Sequence, residues 1–168
     1  RGELSGGGDP DGRNQRRLVP GWDTGLQVAW SPDSRWIAYA QGDEDFNEEV
    51  WIVPADASRP PVNVSQHPDN DNAPAWGPDG RFLVFASRRQ GDEYDLWRVA
   101  LRAADFEMSD EALRESVEGA GARRAGRDST ARRDSVPTVV IDFEGIEDRV
   151  RRMTTLQGDE SSVWISPD

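Results

Sequence analysis

Five carboxylates fall within seven residues, at Asp43, Glu44, Asp45, Glu48 and Glu49. Carboxylates at that density attract a cationic peptide or a divalent cation. The start Asp43-x-Asp45-x-Asn47 has the spacing of an EF-hand loop, but Glu48 stands where the turn needs Gly and the twelfth position is Pro54. The run therefore reads as a solvated loop tip, and no metal or other cofactor is expected. His67 is the only His in the chain and opens the run His67-Pro68-Asp69-Asn70-Asp71. A catalytic imidazole needs an activated nucleophile within reach. The run reads instead as a polar turn started by Pro, with a peptide contact as its functional alternative. Arg88 and Arg89, followed by Asp92 and Glu93, have the chemistry to hold a peptide carboxylate. Their plainer reading is a solvated hairpin tip. Ser31 and Ser166 sit in Ser-Pro-Asp turns and lack a Gly-x-Ser-x-Gly elbow. No catalytic residue is assigned.

Composition narrows the field further. Among 168 residues, 32 Asp+Glu oppose 20 Lys+Arg for a formal net charge of -12. That balance disfavours nucleic acid and anionic lipid, both polyanions. Every basic residue is Arg, so no Lys is present to form a Schiff base or act as a base. The absence of Cys excludes disulfides, thiolate metal sites and a Cys nucleophile. No apolar run approaches the roughly 18–20 residues that span a bilayer. The start Arg1-Gly2-Glu3 has neither Met nor a signal-peptide stretch, and the end at Asp168 falls inside a turn, so both ends read as cut.

The elements that position these residues repeat. A strand-like residue is followed twelve positions later by one directly ahead of an X-Pro-Asp turn: Leu18 to Trp30, Val64 to Trp76 and Met153 to Ile165. Residues 29–53 lie over 75–99 at an offset of 46 without a gap. Trp30, Pro32, Asp33 and Trp51 recur as Trp76, Pro78, Asp79 and Trp97, and Gly80 takes the last turn position of the second unit. Each unit reads as four short strands: a at 28–30 or 74–76, b at 36–40 or 82–86, c at 50–53 or 96–101, and d at 62–65. Residues 17–19 and 152–154 play the part of strand d for their neighbours. The sequence thus predicts an all-β chain, a partial β-propeller of four-stranded antiparallel blades. The repeated Trp residues read as blade core, each buried indole N–H needing an acceptor.

The predicted boundaries are the end of a preceding blade at 1–27, a blade at 28–65, a second at 74–102, an insertion at 103–137 and a truncated following blade at 138–168. Trp76 to Ile165 is 89 residues, and subtracting the 46-residue repeat leaves 43 extra. Ser109 is placed as N-cap of a short helix to about 118. Residues 119–135, with Arg123, Arg124, Arg127, Arg132 and Arg133, read as a partly disordered linker. The chain is expected to return to strand at 138–143. Two and a half blades do not close a ring, so this piece alone is expected to be poorly stable or to associate with copies of itself.

The Trp-Ser-Pro-Asp turn at 30–33, the apolar strand after it and the Trp-Ile-Val strand at 51–53 resemble the WD40-like PD40 repeat. That repeat occurs in TolB, in the propellers of prolyl oligopeptidase-type enzymes and in tricorn proteases. Three longer stretches resemble bacterial tricorn-like serine peptidases more narrowly. They are Arg1-Gly2-Glu3-Leu4 with Arg16-Arg17-Leu18, the run from Asn63 to Asp71, and the run from Val140 to Arg149. The resemblance implies propellers that gate or channel peptides toward a separate catalytic core behind a PDZ-like module. Peptide substrates, other blades and those downstream domains are the implied partners. It also implies a periplasmic or extracellular location. The family's catalytic Ser and His lie in that core, and no position here matches them. A TolB-type binding propeller and the lid propeller of a prolyl oligopeptidase-type hydrolase are the alternatives.

Because consecutive strands reverse direction, the b–c loops (41–48 and 87–94) and the d–a connections (19–27, 65–73 and 155–162) share one face. That face gathers Asp43, Glu44, Asp45, His67, Asp69, Asn70, Asp71, Arg88 and Arg89, and it is the expected peptide or partner surface.

Overall fold

The computed structural model describes residues 5–6, 13, 16–19, 26–42, 47–108, 111–112, 115, 136–154 and 158–160. Within them, β1 (Ser5–Gly6) and β2 (Arg16–Arg17) form a two-stranded antiparallel ribbon. The first four-stranded sheet is β3 (Gln27–Trp30), β4 (Trp36–Gly42), β5 (Glu48–Pro54) and β6 (Val62–Asn63), in that order. The second is β7 (Asp71–Trp76), β8 (Phe82–Ser87), β9 (Asp95–Ala100) and β10 (Val150–Arg152). All neighbours are antiparallel. The chain is all-β: two blades of a partial β-propeller.

The repeat is visible in the register. Tyr39 faces Trp51 across β4 and β5, and Phe85 faces Trp97 across β8 and β9, 46 residues on. The β4 run Trp36-Ile37-Ala38-Tyr39-Ala40 is apolar on both faces because both faces are packed. Ala38 joins Val50, Ile52, Leu83, Phe85, Trp97 and Val99 in the core between the blades. Ile37 and Tyr39 point the other way, with Val53, Leu18 and Val19.

The X-Pro-Asp turns close alike. Ser31 N donates to Trp36 O and Gly77 N to Phe82 O, both at 2.9 Å. The equivalent positions Ser34 and Gly80 are left-handed, with φ of 57° and 70°. Asp33 and Asp79 each accept from the amide two residues on, Arg35 N and Arg81 N, at 3.1 Å.

Several expectations are corrected. Residues 138–143 form no strand. Val139 is buried between the blades and Ile141 and Phe143 pack against that core, which Ile146 joins just beyond, while Val140 is exposed. Their backbone is served from elsewhere: Val139 N donates to the Asp33 carboxylate and Asp142 N to Leu101 O. Residues 150–152 hydrogen-bond to β9 and complete the second sheet, which agrees with the strand-d part read for 152–154, although the boundary drawn at 138 set them in a following blade. The insertion is therefore an excursion between the third and fourth strands of one blade. A helix, α1 (Ala103–Phe106), begins earlier than the one expected at 109. Glu111, Ala112 and Glu115 are also helical, and Ser109 lies outside the described residues. Strand β6 stops at Asn63 because Ser65 offers its side chain instead: Val64 N still bonds Val50 O, but Val50 N donates to Ser65 Oγ. Strand β7 starts at Asp71, three residues before the expected 74.

Trp76 and Trp97 are buried, Trp51 is half-buried, and Trp30 is exposed, against the expectation of core. Among the described residues no helix is long and apolar enough to cross a membrane.

Candidate functional site

Strand reversal brings the 65–70 connection and the 87–94 loop to one end of the two blades, and buried polar groups stitch them together. Asp71 opens β7 fully buried. Arg89 Nη2 donates to Asp71 Oδ2 at 2.7 Å and to Ser65 O at 2.8 Å, while its Nε donates to Ser87 Oγ at 3.2 Å. The guanidinium also sits 5.3 Å from the Phe85 ring centre and 5.7 Å from that of Trp97. Arg89 therefore locks one connection to the neighbouring blade through its Nε and Nη2 donors. Arg88 Nε donates to Asp92 O at 3.1 Å, with its guanidinium over Tyr94.

A second knot surrounds Glu49, a buried carboxylate on β5. It accepts from the Ser65 hydroxyl through Oε2 and from His67 N through Oε1 at 3.2 Å. Burial pushes its carboxyl above the usual carboxylate range, opposed by the Ser65 and His67 hydrogen bonds and reinforced by the Asp71 charge. His67 contributes its backbone here, and its Nδ1 accepts from Asp69 N at 3.3 Å. Asn70 Oδ1 accepts from Glu48 N at 2.9 Å, and Asn72 Nδ2 donates to Glu48 Oε2 at 3.2 Å.

The second blade repeats the pattern. Tyr94 N donates to Asp159 Oδ1 and Leu96 N to Thr154 Oγ1, both at 2.9 Å, as Glu48 N does to Asn70 and Val50 N to Ser65. Arg152 pairs with the buried Asp95 at 2.7 Å.

Of the predicted surface residues, His67, Asp69, Asn70, Asp71, Arg88 and Arg89 come together at this end. Asp43, Glu44 and Asp45 lie outside the described residues. Asp71 and Arg89 form a buried tie rather than an open surface. Among described residues, no three His, Cys, Asp or Glu are grouped to hold a metal ion.

Glu49, Ser65, Ser87 and Asp95 were missed as organisers of this end. The only sequence signal for them is positional: Glu49 and Asp95 are 46 apart, and Ser65 and Thr154 are 89 apart like Val64 and Met153. A further missed cluster lies at the opposite end. Asp105 receives Arg102 Nε at 2.7 Å and Arg81 Nε at 3.1 Å. Burial alone would raise its carboxyl, but these two guanidiniums hold it below the usual range.

No family model and no curated protein matches the chain. Two of the solved structures similar to it serve as examples. A TolB protein from Agrobacterium tumefaciens is 23% identical over 51% of this chain and 30% of its own, with a TM-score of 0.44. The crystal structure of the tricorn protease is 14% identical over 90% of this chain and 15% of its own, with a TM-score of 0.59. The chain thus spans less than a third of the length of either. At such identity the likeness to the tricorn protease speaks for the fold alone, and the fold is that of a β-propeller.

Proposed function

We propose that these 168 residues are a non-catalytic propeller segment of a tricorn-like serine peptidase, shaping how peptides reach a catalytic core elsewhere in the polypeptide. The engagement of Arg89 by Asp71 and Ser65 O carries this reading. The group best suited to seize a peptide carboxylate is instead used to fix one connection against the next blade. What the same end leaves exposed is negative charge, at Asp69, Asp92, Glu93 and Asp159. Such a surface steers cationic segments of a passing peptide and performs no bond chemistry on them. The overlap with the tricorn protease across 90% of the chain supports the same reading. A periplasmic or extracellular location goes with it.

The test is fluorophosphonate labelling of the complete polypeptide, with the adduct mapped by mass spectrometry. The expected outcome is peptide hydrolysis blocked by the probe and an adduct on a Ser outside these residues. An adduct within them overturns the non-catalytic assignment. No adduct together with no peptide hydrolysis overturns the peptidase and favours a TolB-type binding propeller.

A further inference from the structure

Residues 136–144 have the shape of a strand but no ladder. Exposure alternates without a break: the even positions from 136 to 144 are exposed, and the odd ones between them are buried or half-buried. That is the period of an extended chain with one face on the core. None of these residues has a positive φ. Two of the outward side chains are apolar, Val136 at 53% and Val140 at 49% exposure.

The main-chain groups of the segment are paired unevenly. Val139 N donates to the Asp33 carboxylate, and further on Asp142 N donates to Leu101 O. Arg149 donates to Asp142 O and Glu144 O. Among the described residues, the main-chain groups of Thr138 and Val140 have no partner. Successive residues of an extended chain aim their N–H and C=O groups at opposite edges, so those of Thr138 and Val140 share the edge away from Asp33. An exposed edge with unmade bonds is a template for another strand.

The segment crosses the end of the blades where the Pro-Asp turns lie. Asp33 belongs to one turn and Gly80 to the other, with Gly80 packed against Val139. Blades of a propeller stack on sheet faces, so neighbouring blades leave this end open.

We infer that residues 136–141 are a docking edge for an extended peptide, taken up as an added antiparallel strand. Val136, Thr138 and Val140 present a β-branched row that suits Val or Thr opposite, and Asp142 and Glu144 continue the row with negative charge. The guest is therefore β-branched at alternate positions, with Lys or Arg at alternate positions nearer its N-terminus. The formal net charge of -12 favours the same guest. The inference concerns binding alone and does not depend on hydrolysis.

The probe is a fluorescein-labelled peptide in which Val alternates with Thr, with Lys replacing Val in its N-terminal half. Its fluorescence anisotropy is read on the complete polypeptide after fluorophosphonate treatment, so that hydrolysis at a catalytic Ser does not intervene. Val140→Pro deletes one ladder donor and keeps the chain extended. It is expected to weaken binding about tenfold with the thermal midpoint unchanged. Methylating the peptide's own amides needs no variant to fold: methyl groups on alternate residues are expected to abolish binding in one register and spare it in the other. Exchanging the peptide's Lys for Glu is expected to weaken binding, and Glu144→Lys to reverse that preference. No binding, equal affinity for Val140→Pro and the parent, or equal affinity for the two methylated peptides overturns the inference. Self-association that Val140→Pro abolishes, without peptide binding, assigns the edge to a second copy and overturns it as well.

Discussion

The Asp33 carboxylate accepts a hydrogen bond from the Val139 backbone amide, 106 residues away in sequence, at 2.8 Å. The same side chain accepts from Arg35 N and from the Ser31 hydroxyl within its own turn. One aspartate thus shapes a tight turn in the first blade and receives the returning chain of the second blade's excursion. Burial opposes its ionised form, but the hydrogen bonds from Ser31, Val139 and Arg35 prevail and hold its carboxyl below the usual range.

Asp33→Ala leaves the Val139 amide without its acceptor beside a buried side chain. The expected loss is about 1–3 kcal/mol, read as a lower urea midpoint for the complete polypeptide. Asp33→Asn keeps an acceptor and is expected to lose less. An unchanged midpoint for the Ala variant would show that the contact contributes nothing.

Removing Arg89 strands the Asp71 charge in the interior. Arg89→Met is expected to destabilise by about 3–5 kcal/mol. Adding Asp71→Asn should recover much of that loss, since the orphaned charge is gone. Additive losses in the double-variant cycle would contradict a direct tie.

Two carboxyls give opposite responses to pH. Glu49 is raised by burial, so its contribution to stability is present below its unfolded value and is lost as pH rises through its folded one. Glu49→Gln should therefore gain on the parent protein as pH goes from about 4 to about 7. Asp105 is lowered, so its contribution is present above its unfolded value and is lost as pH falls through the folded one. Asp105→Asn should lose most at neutral pH and least in acid. Thermal midpoints measured from about pH 2 to about pH 7 check both signs, and parallel curves for the two variants would refute the assignment.

Position 34 and its counterpart at 80 offer a paired substitution. Ser34 holds φ at 57° and is exposed, so Ser34→Gly should stabilise by about 0.5–1 kcal/mol. Gly80→Ser should destabilise, because a Cβ there would meet Val139 Cγ2 at 2.8 Å. Denaturation midpoints moving the same way in both would undo the argument.

The 168-residue chain by itself bares the apolar face at Val28 and Trp30. Sedimentation velocity should show size rising with concentration. A concentration-independent monomer with one sharp unfolding transition would speak against this.

The blades were legible because Trp, Pro and Asp recur at fixed spacing, and register follows from that spacing. The excursion was harder to read. Thr138-Val139-Val140-Ile141 has the composition of a strand, but Val139 wedges between the blades and an Asp33 side chain supplies the acceptor a ladder would have given. Burial of Glu49 was hidden for a related reason. A carboxylate at the end of an acidic run looks solvated, and only its partners, Ser65 and the His67 amide, make an interior place for it. Trp30 shows the converse: it matches Trp76 in type and place in the repeat, yet is 53% exposed where Trp76 is 8%, because burial depends on what packs against a motif residue.

The fourth strand of the second blade resumes pairing where the first blade's pattern requires, with Arg152 opposite Trp97 as Asn63 is opposite Trp51. On either side of the detour the polypeptide is moored to the blades, at Asp105 by two arginines and at Val139 by Asp33. What is carried between those moorings can change in extent without disturbing the two blades, since doubling the length of a connection costs only about 0.6 kcal/mol of closure entropy. This corner of the blade is accordingly a graft site, where evolution or an engineer can append a new module while the scaffold keeps its shape.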